Sequence, residues 1–186
     1  MTKLEKAIIF STEAHADTKR KGKDRPYILH PLEVLTIVAS LTDDEEVQAA
    51  AVLHDTVEDT TVTREEIERE FGPKVAELVA SESENKREDL PAANTWKLRK
   101  QETIDHLNLA SRDVKLICLG DKLSNIREME RDHASIGDAL WERFNQKNKD
   151  MHKWYYMSIF HILQREFGDV APILEYRMLA ENVFGK

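Results

Sequence analysis

The chain holds one cysteine in 186 residues, so no intrachain disulfide can form. That usage suits a reducing compartment, and a cytoplasmic location is expected. Cys118 lies in the apolar run 114–119 and reads as a small buried side chain, not a nucleophile. Glycine (6) and proline (5) are sparse, which leaves few helix breakers. No stretch approaches about 18 apolar residues, so no membrane span is expected. Residues 1–6 lack the apolar run of a signal peptide. Cations are outnumbered, 27 against 35 acids, for a formal net charge of −8. Counterion release on nucleic acid needs a broad basic surface, and this balance argues against one. A small anion held in a local basic pocket remains compatible with it. Alternation with period two is almost absent. The expected fold is therefore all-α, a bundle of roughly eight to ten helices.

What the chain does have is charge in costly places. In Leu53-His54-Asp55-Thr56-Val57-Glu58-Asp59, a histidine and three carboxylates follow the apolar stretch 49–53 directly. Charges beside a core need a partner, a metal or a shifted pKa. Two more such residues stand on other apolar helices. His30 precedes Pro31, which suits the first position of a helix running to about Leu41. Asp121 interrupts the apolar face of a helix over residues 112–131. Together His30, His54, Asp55 and Asp121 make a hard-to-borderline ligand set for a divalent cation such as Mn²⁺, Zn²⁺ or Fe²⁺.

Glu58 and Asp59 follow at helical offsets from the His54-Asp55 pair and exceed what one ion needs. They are candidates to accept a proton from water or to protonate a leaving group. Placed at the C-terminal end of the helix that begins near Glu45, they oppose its dipole, which makes a plain solvated end less comfortable. Asn125 comes one turn after Asp121 and is a candidate substrate contact.

Two loops remain. Residues 18–26 crowd Lys19, Arg20, Lys21, Lys23 and Arg25 around Gly22 in an otherwise acidic chain. This is either a solvated turn or an anion-binding loop, with arginine its best phosphate contact. Residues 81–95 are polar and aperiodic and read as a loop that carries Lys86 and leads into Arg99 and Lys100. It either covers and binds substrate or is a plain connection. His15, at the end of a helix over 3–17, reads as a helix-terminal or surface residue. His133, His152 and His161 read as structural or surface residues. Core candidates in the second half include Leu98, Ile104, Leu107, Leu109, Trp141, Leu174 and Met178.

His30-Pro31, His54-Asp55 and Asp121 resemble the H…HD…D signature of HD-domain metal-dependent phosphohydrolases. Arg20-Lys21, Tyr27-Ile28-Leu29-His30-Pro31, the stretch 51–60, Phe71-Gly72-Pro73 and Asp121-Lys122-Leu123-Ser124-Asn125 resemble, in order and spacing, the hydrolase domain of RelA/SpoT-type alarmone enzymes. The similarity covers residues about 5–130. It implies a single HD domain over residues 1–186 and a hydrolase-only member. It implies Mn²⁺-dependent removal of the 3′-pyrophosphate from (p)ppGpp, giving GDP or GTP and pyrophosphate. His30, His54, Asp55 and Asp121 match the metal ligands, Glu58 and Asp59 the acids that handle water, and Arg20, Lys21 and Asn125 substrate contacts. Lys86, Arg99 and Lys100 are further candidates to offset substrate charge. A small nucleotide is then the expected partner, and a homo-oligomer stays open. Two alternatives stand beside this reading: a phosphohydrolase of another nucleotide (a nucleoside monophosphate, a dNTP or NADPH), and a non-catalytic nucleotide sensor.

Overall fold

The computed structural model describes residues 1–82 and 92–185. Lys86 lies outside the described residues. Among these all regular elements are helices, with one isolated bridge, Lys19 to Pro26, and no strand. No described helix is long and apolar enough to cross a membrane.

The chain forms two compact units. The first comprises Met1–Ser83 and Leu116–Asp121. It contains α1 (Lys3–Ala14), α2 (Leu29–Ala39), α3 (Glu45–Leu53), α4 (Thr56–Asp59), α5 (Arg64–Phe71) and α6 (Pro73–Glu82). Helix α3 is its centre. Val47 and residues 49–53 are fully buried, so the second half of the helix is apolar on all sides, and the helix packs on α1, α2 and α6. Its three alanines let those neighbours approach closely. The ends follow from local hydrogen bonding. Thr2 and Thr63 each open a capping box, with Glu5 and Glu66 as reciprocal partners. Thr42-Asp43-Asp44-Glu45 has the pattern of a capping box, but Thr42 does not cap α3. Asp44 is the N-cap of α3 and accepts from the Glu46 and Val47 amides.

The helix carrying His54 is shorter than its composition suggests. It ends at Leu53, with His54 as C-cap, and α4 starts afresh at Thr56. The Thr56 hydroxyl donates to the Leu53 carbonyl at 2.7 Å and satisfies one group that this break releases.

Residues 116–121 belong to a longer helix, α8 (Arg112–Ile136). At Gly120 this segment passes very close to α2. An added Cβ would meet Val34 Cγ1 and Val38 Cγ2 at 3.0 Å and the Val34 carbonyl oxygen at 3.1 Å. Only glycine permits that approach, and Asp121 is the next residue.

The second unit comprises Glu84–Lys115 and Lys122–Lys186. It holds α7 (Ala92–Leu109), the rest of α8, a 3-10 helix (Gly137–Arg143), α9 (Lys149–Phe167) and α10 (Ala171–Phe184). Helix α9 packs on α7 and α10. Tyr176 is fully buried, and its hydroxyl donates to the Tyr156 carbonyl at 2.9 Å. His152 is buried among the rings of Trp96, Trp141 and Phe144 and contacts the Gln146 carbonyl through Nε2 at 2.7 Å. Arg127 grips Glu175 with two nitrogens at 2.6 and 2.7 Å.

Four expected core residues are exposed instead: Leu98, Leu109, Leu174 and Met178. On α7 the buried stripe is set by Trp96, Arg99 and Leu107, and a residue two positions from a stripe member points elsewhere. On α10 the stripe runs through Ile173, Tyr176, Ala180 and Val183, which leaves Leu174 and Met178 one turn apart outside it. Of the loop expected over 81–95, residues 81–82 belong to α6 and 92–95 to α7, and the rest lies outside the described residues.

Candidate metal centre

The first unit gathers its costly residues at one place. His30 enters from the first turn of α2, His54 from the end of α3 and Asp121 from the segment that Gly120 presses onto α2. All three are buried, and their ligand atoms lie within 4.8 Å of one another. His30 Nε2 is 3.2 Å from Asp121 Oδ1. His54 Nε2 is 3.9 Å from the same oxygen. Asp55, half-buried, joins through Oδ2, which lies 3.0 Å from His54 Nε2 and 3.6 Å from His30 Nε2. The two imidazoles meet edge to face at 5.2 Å.

The tautomer of His54 shows what the cluster requires. Its Nδ1 is 2.9 Å from the Ala51 carbonyl, which can only accept, so Nδ1 carries the proton. A neutral ring then directs the Nε2 lone pair at Asp55 and Asp121. That nitrogen is buried and has no hydrogen-bond partner among the described residues. The 3.0 Å contact to Asp55 therefore opposes a lone pair to a carboxylate unless positive charge sits between them. The titration behaviour says the same. Burial disfavours the imidazolium, yet the Asp55 and Asp121 carboxylates outweigh it and raise the His54 pKa to about 9. Asp55 is pulled the other way. Burial opposes its charge, and His54 and His30 nevertheless hold its carboxyl far below the usual range. A divalent cation answers the same demand with two imidazole nitrogens and two carboxylate oxygens, a donor set suited to Mn²⁺, Fe²⁺ or Zn²⁺.

Glu58 is half-buried and Asp59 exposed. Both lie in α4, beyond the break at His54-Asp55, and not at the end of a long helix. The dipole opposition expected from the sequence therefore does not arise. The Asp59 amide donates to the Asp55 carbonyl at 2.9 Å, so the two acids share one turn.

Two residues that the sequence reading leaves out of the site belong to its surroundings. Tyr27 donates its hydroxyl to Asp55 Oδ2 at 2.5 Å, with Asp59 Oδ2 3.2 Å away. Burial and then the Asp55 charge push its pKa well above the ordinary phenol value, so it stays a donor. His15 is not a surface residue. It is buried, its ring lies 4.8 Å from that of Tyr27, and neither of its nitrogens has a hydrogen-bond partner among the described residues. Burial lowers its pKa, against the pull of Asp55 and Asp59. A signal was available: Ala7, Ser11 and His15 recur every four residues, and the first two are buried.

The cationic loop closes as a tight turn. Arg20 and Arg25 pair through the backbone, and Lys19 meets Asp24 at 2.5 Å. The Arg20 guanidinium is half-buried, 5.4 Å from the centre of the Tyr27 ring, whereas Lys21 is exposed. The remaining predicted substrate contacts belong to the second unit. Arg99 is buried and donates to Thr95 Oγ1 at 3.2 Å. Lys100 and Lys122 both lie over the Tyr155 ring, at 5.0 and 5.9 Å. Asn125 is half-buried on α8.

A family model described as HD domain matches residues 7–147. Over 129 residues, 68% of the chain, the sequence is 41% identical to the GTP pyrophosphokinase rsh of Brucella ovis. That match spans only 17% of the Brucella protein's length. The guanosine-3′,5′-bis(diphosphate) 3′-pyrophosphohydrolase MESH1 of Danio rerio is 39% identical over 132 residues, 69% of each chain. A solved structure described as a metazoan ortholog of SpoT that hydrolyzes ppGpp superposes with a TM-score of 0.74 and 26% identity, over 96% of this chain and 94% of the other. With a family match that runs across three quarters of the sequence and takes in His30, His54, Asp55 and Asp121, the chain belongs to the HD domain family.

Proposed function

We propose that the chain is a Mn²⁺-dependent 3′-pyrophosphohydrolase of (p)ppGpp. The observation that carries the metal half of this reading is the bare, buried His54 Nε2 facing two carboxylates. The substrate half rests on relatives of about 40% identity whose names state that activity. His30, His54, Asp55 and Asp121 would hold the ion. When bound there, a divalent cation supplies Lewis-acid polarisation of a phosphoryl oxygen and acidifies water.

The rest is the work of the chain's own side chains. Glu58 and Asp59 take the proton of the attacking water as its oxygen bonds to phosphorus. The bond from phosphorus to the ribose 3′ oxygen breaks, that oxygen takes up the proton the acids accepted, and GDP or GTP leaves with pyrophosphate as the second product. Arg20, fixed over the Tyr27 ring, and Lys21 offset negative charge on the nucleotide as it gathers.

A substrate panel with Mn²⁺ and product identification tests this. Release of pyrophosphate from (p)ppGpp is the expected result. Release of inorganic phosphate from a nucleoside monophosphate, a dNTP or NADPH, with (p)ppGpp untouched, would replace it with another HD-family activity. Nucleotide binding with no turnover under any divalent metal would leave a sensor.

A further inference from the structure

Tyr27 moves no proton in the chemistry just described, yet it touches Asp55, Asp59, His30, His15 and Arg20. We propose that Tyr27 is a positioning residue, whose hydroxyl fixes the Asp55 carboxylate toward the two imidazoles and ties Asp59 to it. This inference rests on the hydrolase reading for its kinetic consequence, though not for its effect on metal binding.

The geometry is specific. The oxygen that Tyr27 holds at 2.5 Å, Asp55 Oδ2, is the one that lies 3.0 Å from His54 Nε2 and 3.6 Å from His30 Nε2. A carboxylate on a single Cβ rotates easily, and a donor on its ligating oxygen selects one rotamer. The same hydroxyl lies 3.2 Å from Asp59 Oδ2. One proton thus serves two carboxylates, and the position of the acid that handles water is coupled to that of a metal ligand.

Tyr27 is itself firmly held. Its amide donates to the Thr18 carbonyl at 2.8 Å, and its carbonyl accepts from the His30 amide at 2.9 Å. Its ring is packed by His15 at 4.8 Å, His30 at 5.9 Å and the Arg20 guanidinium at 5.4 Å. The hydroxyl therefore acts on the acids, while the ring face acts on the cation of the 18–26 loop. The two roles separate by mutation.

Tyr27→Phe removes only the hydroxyl. In the whole chain, titrated with Mn²⁺ alone by calorimetry, we expect affinity to fall about tenfold or more. With (p)ppGpp, kcat is expected to fall roughly 10–100-fold while KM stays within about twofold. Tyr27→Leu also removes the ring face and is expected to raise KM as well. In an Asp59→Ala background, Tyr27→Phe should cost less in kcat than it does alone, because one acceptor is already gone. Native Mn²⁺ affinity and native kcat in Tyr27→Phe would overturn the assignment, and so would additive losses in the double variant. If the unaltered chain does not turn over (p)ppGpp, the hydrolase reading falls. The Mn²⁺ titration still decides on Tyr27: a tenfold loss upholds its positioning role, and an unchanged affinity refutes it.

Discussion

Glu58 and Asp59 can be separated from the proposed metal ligands by one experiment. Replacing both, Glu58→Gln with Asp59→Asn, keeps shape and removes their proton affinity. Turnover is expected to fall about 10²–10⁴-fold, with metal content measured by atomic absorption nearly unchanged. Surviving turnover would show that the acid pair is misassigned. A second residue, His152, links stability to pH. Burial lowers its pKa below the ordinary 6.5, Lys100 adds to that, and the Gln146 carbonyl opposes it. The folded protein therefore keeps His152 neutral while the unfolded chain takes up a proton. Its contribution is fully present above pH 6.5 and is lost as pH falls from there toward the lowered folded value. In urea titrations at pH 7.5 and 5.5, His152→Phe should lose about 1 kcal/mol at the higher pH from the missing hydrogen bond, and show a flatter pH dependence than the native chain. His15 titrates in the same direction, but it is present in both proteins and cancels in the comparison. An equal slope would refute the assignment. Residues of this kind differ in how legible they are. His30, His54 and Asp121 stand out because a charge on an apolar helix is chemically incongruous, and the fold brings their ligand atoms together. Tyr27 and His15 are ordinary in composition and acquire meaning only from what touches them.

At the scale of elements, Thr63, Gly72 and Gly168 mark helix ends in the sequence, and the break after Leu53 carries no such mark. Thr63 and Glu66 announce α5 through a reciprocal hydrogen-bond pattern with a fixed spacing. The end of α3 has no such sign, because residues 49–53 continue without a glycine or proline and the turn is made by the Thr56 side chain. Similarly, the apolar positions of α7 and α10 show a helix but not which of two stripes faces inward, and Leu98 and Met178 fall on the wrong one. Gly120 was equally silent: a glycine inside a helix normally costs about 1 kcal/mol and reads as tolerated noise. Its use is the contact of α8 with α2. Val34 and Val38 have stiff β-branched side chains, and the third neighbour is backbone, so none of the three can yield cheaply. Gly120→Val is expected to lower stability by about 1–3 kcal/mol in chemical denaturation. It should also weaken Mn²⁺ binding, because Asp121 is carried on the same turn. If Mn²⁺ affinity is unaffected despite the lost stability, this contact does not set the position of Asp121.

At the scale of the whole molecule, the all-α class followed from the missing period-two alternation, but the number of compact units did not. Hydrophobic periodicity reports faces, not which faces share a core, and the division assigns a few residues of α8 to the unit of α1–α6. The HD family match, over residues 7–147, covers residues of both units. We propose on that basis that it unfolds in one cooperative transition and that metal binding stabilises all of it. An ion that binds only the folded chain adds RT ln(1 + [L]/Kd), about 2.7 kcal/mol at 100 times Kd. For a protein of this size each kcal/mol moves Tm by about 2–4 °C, so saturating Mn²⁺ should raise it by about 5–10 °C. Chelation should reverse the shift, and His54→Ala should abolish it, since it deletes the nitrogen that faces both Asp55 and Asp121. Scanning calorimetry with and without Mn²⁺ distinguishes the outcomes. A single endotherm that moves as a whole supports one domain with a structural dependence on its ion. Two endotherms, of which only one moves, would assign the ion to one unit and make the second an independent folding element. A scan that does not respond to Mn²⁺ would remove this cation from the cluster of His30, His54, Asp55 and Asp121.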